Sequence, residues 1–189
     1  TPLYSSAASD VYKRQHLEMR ILNSVALAMN RTEDLDVILG TALRKVLEAL
    51  NLSSGAIFLV EAGGRETVFS MRAQQGLPHP GPGVSHAVEF RDKVLMRALL
   101  NKGLYLEPEP IFPPFRAVLK VGPNQEIELT CFLITAKEKA SGFLGFVVPP
   151  DRDIRTGQEF HLLGSVANFL GGAIPVSYTH LRAHETKAN

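Results

Sequence analysis

Few side chains in this sequence combine a type and a spacing that chemistry could use. Cys131 is the single cysteine of 189 residues. It sits in Ile127–Ile134, where Ile127, Leu129, Cys131 and Leu133 alternate with Glu128, Thr130, Phe132 and Ile134 in the period of a β-strand. A thiol senses oxidants only when its thiolate is stabilised, and no basic residue flanks Cys131 in sequence. Packing as a small buried hydrophobe is the commoner fate of a free cysteine. His86 lies beside a proline-rich loop and His161 falls on a helical pattern, where a lone histidine is more often a surface residue. Arg116 and Lys120 lie one helical turn apart, with Tyr105, Phe112 and Phe115 nearby, a set able to hold an anionic or aromatic ligand. The plainer reading, which we favour, is a solvated basic edge with aromatics plugging the core. No Ser-His-Asp order, paired carboxylates, phosphate loop or metal-ligand cluster rises above chance, and Gly171-Gly172 closes a helix.

The element that must hold Cys131 is 126–148, EIELTCFLITAKEKASGFLGFVV. Its polar tetrad Glu138–Ser141 turns the chain, and Phe143–Val148 returns as an almost wholly apolar run. Two such runs across a short turn predict an antiparallel hairpin buried on both faces. It reads as the centre of a sheet with helices on at least one side.

Upstream, Leu17, Ile21, Leu22, Val25, Ala28 and Met29 form a helical stripe over 16–31. Thr32 reads as an N-cap, with Glu33, Asp34 and Asp36 in the first turn of the next helix. That helix carries Leu35, Ile38, Leu39, Ala42, Leu43, Val46, Leu47 and Leu50 on one face and ends at Asn51. Arg44, Lys45 and Glu48 fall off the stripe. Ala56–Val60 suits a central strand. Residues 66–74 read as a second, with Val68, Ser70 and Arg72 facing one way and Phe69, Met71 and Ala73 the other.

Glycines and prolines from Gly76 to Gly83 mark a loop. Residues 84–90 suit a short edge strand, and 92–102 a helix capped by Asp92. The stretch 104–124 is the least regular, and Phe112, Phe115, Val118 and Leu119 predict at most a turn or two of helix in a loop covering a pocket. Thr156 and Glu159 form a capping box that opens a last helix over about 157–174. Phe160, Leu163, Ala167 and Leu170 line one side of it, and Leu162, Val166 and Phe169 an adjacent side, so it needs a second partner.

The formal charge of +1 argues against a dedicated nucleic-acid binder. One cysteine excludes an internal disulfide framework and a cysteine-based zinc site. No apolar run approaches the roughly 20 residues that span a bilayer, and with no signal peptide the cytoplasm is the default expectation. No cofactor and no metal site is named by any motif. Residues 1–15 and 176–189 have patterning that does not join their neighbours. They resemble translated sequencing-adaptor or linker sequence, and we set them aside as non-native or disordered tails, leaving one domain over 16–175.

Taken in order, GAIFLVE (Gly55–Glu61), AQQGLP (Ala73–Pro78), GFLGFVV (Gly142–Val148) and EFHLLGSVANFLGGAI (Glu159–Ile174) resemble a GAF domain over about 16–174. The resemblance implies an α+β fold: an antiparallel sheet of five or six strands, the N- and C-terminal helices on one face, and a pocket roofed by a helix and loops on the other. It also implies a non-catalytic sensory module of a larger signalling protein, such as a histidine kinase, diguanylate cyclase or transcriptional activator, of which this chain is a fragment. The expected partners are a covalently linked output domain, a small-molecule ligand, and a second copy met through the terminal helices at Ile21, Val25, Leu162, Val166 and Phe169. The ligand-pocket candidates are His86, Tyr105, Phe112, Phe115, Arg116, Cys131 and Leu133.

Specialised members of that family can be compared residue by residue. Bilin-binding members attach chromophore through a cysteine, usually followed by histidine, on or near the middle helix. Here 92–102 has no cysteine and Cys131 is followed by Phe132, which disfavours a bilin. The dispersed pattern of cyclic-nucleotide binders has no counterpart, and a single cysteine argues against methionine-sulfoxide reductase chemistry. In some sensory members a histidine holds haem or a metal, the role open to His86 and, less well, His161. Two rivals stand beside the sensor: a degenerate domain whose pocket is filled by Phe112, Phe115 and Leu133 and which only couples helices, and a small-molecule enzyme on the same fold.

Overall fold

The structure, a computed structural model, describes residues 3–32, 34–63, 66–78, 87–90, 114–122, 124–136 and 139–185. They form α1 (Leu3–Arg31), α2 (Leu35–Leu50), β1 (Gly55–Gly63), β2 (Glu66–Gln75), β3 (Ala87–Phe90), β4 (Phe115–Gly122), β5 (Gln125–Ala136), β6 (Lys139–Phe146) and α3 (Gly157–Glu185). The strands make one sheet, entirely antiparallel, in the order β2-β1-β6-β5-β4-β3. The hairpin β5-β6 lies at its centre, and β3 forms one edge, as the sequence predicts.

Alternation along the central strands splits the core in two. Ile57, Leu59, Phe132, Ile134, Leu144 and Phe146 turn to the helix side, where they pack with α1, α2 and α3. Ala56, Phe58, Leu129, Cys131, Leu133 and Phe143 turn to the opposite, distal side, where Phe115, Ala117 and Leu119 of β4 join them. All eight stripe residues of α2 are buried on the helix side, and each such Leu, Ile or Val contributes about 1.5–3 kcal/mol. Asn51 ends the helix in the left-handed region at φ 49°, its N–H meeting the Leu47 and Glu48 carbonyls.

Several expectations change at element ends. The cap of α2 is Asp34, whose carboxylate accepts from the Asp36 N–H, while Thr32 Oγ1 accepts from Asp34 N–H. Each hydroxyl or carboxylate thus serves the backbone two residues on. Helix α1 starts at Leu3 rather than at residue 16, and α3 runs on past Ile174 to Glu185. Between Leu3 and Arg31 there is no glycine or proline to stop propagation, which costs little once a packed turn exists. Glu159 meets Arg152 in an ion pair rather than simply closing a capping box.

The strands are also corrected. Phe115–Gly122, expected as irregular chain or a turn of helix, is strand β4, because Phe115, Ala117, Leu119 and Val121 alternate onto the distal core. Strand β6 already begins at Lys139, so the reversal is tighter than a turn over Glu138–Ser141, and Ser141 is the extra residue of a bulge. A second bulge in β2 lies at Arg72, where Ile57 pairs with Ala73 but Phe58 pairs with Met71. Ala73 is thereby turned to the helix side while Phe69 and Met71 stay distal. The helix expected at 92–102 lies outside the described residues.

Candidate functional site

Register sets the distal face out in rows. Phe58 of β1, Phe143 of β6 and Leu133 of β5 are successive cross-strand partners. Their row is bulky: the Phe58 and Phe143 rings stack with centroids 4.6 Å apart, and Phe69 and Phe115 lie 5.3 and 5.8 Å from Phe143. The neighbouring row runs Ala56, Gly145, Cys131 and ends on Phe115 of β4. Three small residues in line, all buried, make a low row, the furrow, beside a wall of phenylalanine. Leu129 leans over it, since a Cβ at Gly145 would stand 3.1 Å from its Cδ1 and 3.5 Å from the Cys131 sulfur.

Of the sequence-derived pocket candidates, Phe115, Cys131 and Leu133 come together on this face, the first two as direct cross-strand partners. Arg116 does not. Because 115–122 is a strand, Arg116 and Lys120 project from the other side of β4, exposed, and pair with Glu128 and Glu89. This is the solvated charged edge favoured above, built across β3, β4 and β5. His86, Tyr105 and Phe112 lie outside the described residues.

Cys131 is fully buried, and burial pushes its thiol well above the ordinary value, opposed weakly by a backbone hydrogen bond from Ala117. The thiol donates to the Leu129 carbonyl at 3.8 Å. A neutral, enclosed thiol is a packing group. His161 is exposed on α3 with its ring edge-on to Phe160 at 5.3 Å. Among the described residues no group of His, Cys, Asp or Glu could hold a metal ion, and no polar or charged side chain is buried.

The helix-face candidates behave differently from the expectation as well. Ile21, Val25, Leu162 and Val166 are all buried within the chain's own core, and Phe169 packs against it. The second partner that α3 needs is supplied internally by α1 and α2. Among the described residues of α1 the exposed large apolar side chains are Tyr12, Met19 and Leu27, at 71%, 61% and 54% exposure. No described helix is long and apolar enough to cross a membrane.

One end of the sheet is closed by a small knot of loops. Gly76, at φ +68°, lets its carbonyl accept from Ser54 Oγ at 2.9 Å, and the Val147 N–H donates to the Ser54 carbonyl at 3.0 Å. This seats buried Leu77 against the distal core. The glycine is required: a Cβ there would lie 2.1 Å from the Ser53 carbonyl oxygen. Sequence reading missed Ala56, Phe58, Phe143 and Gly145 as site residues. The alternation of Gly142-Phe143-Leu144-Gly145-Phe146 was the available signal, but its meaning depends on register with β1 and β5.

No family model and no curated protein matches the sequence. Solved structures do. The chain is similar to a GAF domain attributed to a sensor histidine kinase of Pseudomonas syringae pv. tomato, with a TM-score of 0.57 and 12% identity over 98% of this chain and 99% of that one. It is similar also to the phycoerythrobilin-bound GAF domain of a cyanobacterial phytochrome (TM-score 0.52, 10% identity, 90% of this chain and 100% of that one). The phycocyanobilin-bound GAF domain of a cyanobacterial phytochrome scores 0.50 at 11% identity, over 88% and 97%. At such identities the likeness is one of fold.

Proposed function

We propose that this chain, which has the GAF fold, is a non-catalytic sensory or regulatory module of a larger signal-transduction protein, and that its ligand site is the distal face. The observation that carries the reading is the division of β5. Its odd residues Leu129, Cys131 and Leu133 line the furrow, while Phe132 and Ile134 pack under the helices. An occupant of the furrow is therefore one residue away, along a single strand, from α3. The described wall of the furrow offers no acid, base or reactive nucleophile, which supports binding over turnover. The output domain to which such a module would be joined is a histidine kinase, a diguanylate cyclase or a transcriptional activator by analogy of fold. Homodimerisation through the terminal helices then uses the outer surface of α1 at Met19 and Leu27, since Ile21, Val25, Leu162 and Val166 are engaged in the core.

A second reading is favoured by the packing of Phe58, Phe69 and Phe115 on Phe143. Rings so close leave the distal side filled by the protein itself, and the domain then only spaces and couples helices. Native mass spectrometry of the chain, purified without added ligand, separates the two. A small molecule retained one per subunit supports the sensor, and an apo dimer supports the coupler. An apo monomer that binds nothing in a metabolite screen overturns both.

A further inference from the structure

On the opposite side of the sheet from the furrow, residues of α1 and α2 line a half-open cleft of about 320 Å³. That size falls at the lower end of the roughly 300–1,000 Å³ range of small-molecule sites. Two of the side chains lining it, Ser24 and Ala49, are small, and small residues between packed helices leave room. Leu17, Ile21 and Ala49 give the cleft an apolar floor continuous with the helix-side core.

The rim is cationic in effect. Glu48, its one acid, is already held by Arg44 at 3.1 Å and Lys45 at 2.8 Å. Ser24 spends its hydroxyl proton on the Arg20 carbonyl, at 2.8 Å, and so offers a ligand no donor. Arg20 has no ion-pair partner among the described residues, and its guanidinium is the fork that fits a carboxylate. We propose that this cleft binds a small organic anion with an apolar body, an aromatic or short-chain carboxylate, through Arg20 and Lys45 above the floor of Leu17, Ile21 and Ala49. The site is independent of the distal furrow and of the sensory reading.

The test is a titration of the ¹⁵N-labelled chain with benzoate, phenylacetate and hexanoate, using benzyl alcohol as the uncharged counterpart. The expected result is saturable amide shifts confined to residues 17–24 and 45–49 with at least one of the carboxylates. Binding should be at least tenfold weaker for benzyl alcohol and in Arg20→Gln. Arg20 is exposed, so that variant keeps the fold, and Ala49→Phe, checked by circular dichroism, should block the cleft sterically. Silence with all three carboxylates overturns the proposal. So does equal affinity for benzyl alcohol, or unchanged affinity in Arg20→Gln.

Discussion

Arg72 grips Asp36 with both arms of its guanidinium, Nε and Nη2 donating to the two carboxylate oxygens at 2.8 and 3.2 Å. Thirty-six residues separate them, and the contact ties the first turn of α2 to β2 at the bulge where Arg72 is the extra residue. Without the bulge, Ala73 would share the side of Phe69 and Met71, as the unbroken alternation predicts. The bulge thus both aims a cation at the start of a helix, where Asp36 already complements the dipole, and moves Ala73 into the helix-side core.

Asp36 is 52% exposed and Arg72 26%, so solvent screens most of this attraction. Asp36→Asn should therefore cost only about 0.2–1 kcal/mol. Urea denaturation at low salt and at 1 M NaCl checks it: the gap between variant and parent should largely close at high salt.

Phe143→Ala removes the ring on which three others rest and should cost about 3–5 kcal/mol. Phe143→Leu, which keeps most of the volume, should cost markedly less. Equal midpoints for the two variants in a thermal melt would mean that the distal side collapses around any gap.

Two adjacent glycines of α3 should respond with opposite sign. A Cβ at Gly171 would stand 1.8 Å from the Thr135 carbonyl oxygen, so helix and strand backbones touch there and Gly171→Ala should cost at least about 1–3 kcal/mol. At Gly172 nothing lies within 4 Å. Gly172→Ala should stabilise by about 0.5–1 kcal/mol, because alanine loses less entropy in a helix. Parallel denaturation curves decide the pair.

Cys131 should be silent to a thiol reagent in the folded chain and react fully in denaturant. Burial raises its thiol in the folded state, so the unfolded chain releases that proton first as pH rises. Stability from the neutral thiol is complete below about pH 8.5 and declines above it. Cys131→Ala should remove that alkaline decline relative to the parent, and an unchanged slope in the variant would assign it to other groups.

Helices and central strands were legible because their patterns are local. The stripe of α2 and the alternation of β5 each lie within one element, and their apolar residues are the ones that pack into the two halves of the core. β4 was not legible: four prolines precede or follow Phe115–Gly122 closely, and its polar residues Arg116 and Lys120 sit four apart, a spacing shared by a helix turn and a strand face. Only pairing with Glu128 and Glu89 across neighbouring strands resolves it. The apolar second side of α3 predicts a partner, but sequence does not distinguish another helix of the same chain from a helix of a second copy. The furrow is a relation among four strands, and no single segment carries it.

The pairing of β1 with β6 has a consequence for synthesis. Gly55 meets Phe146 and Leu59 meets Gly142, so β1 waits for about 90 further residues before its second edge is covered. At about 5–20 residues per second that is roughly 5–20 s during which the apolar run Ala56–Val60 has only β2 beside it. A stop codon before β6 would leave a product whose β1 edge stays open for pairing with another chain rather than a smaller domain.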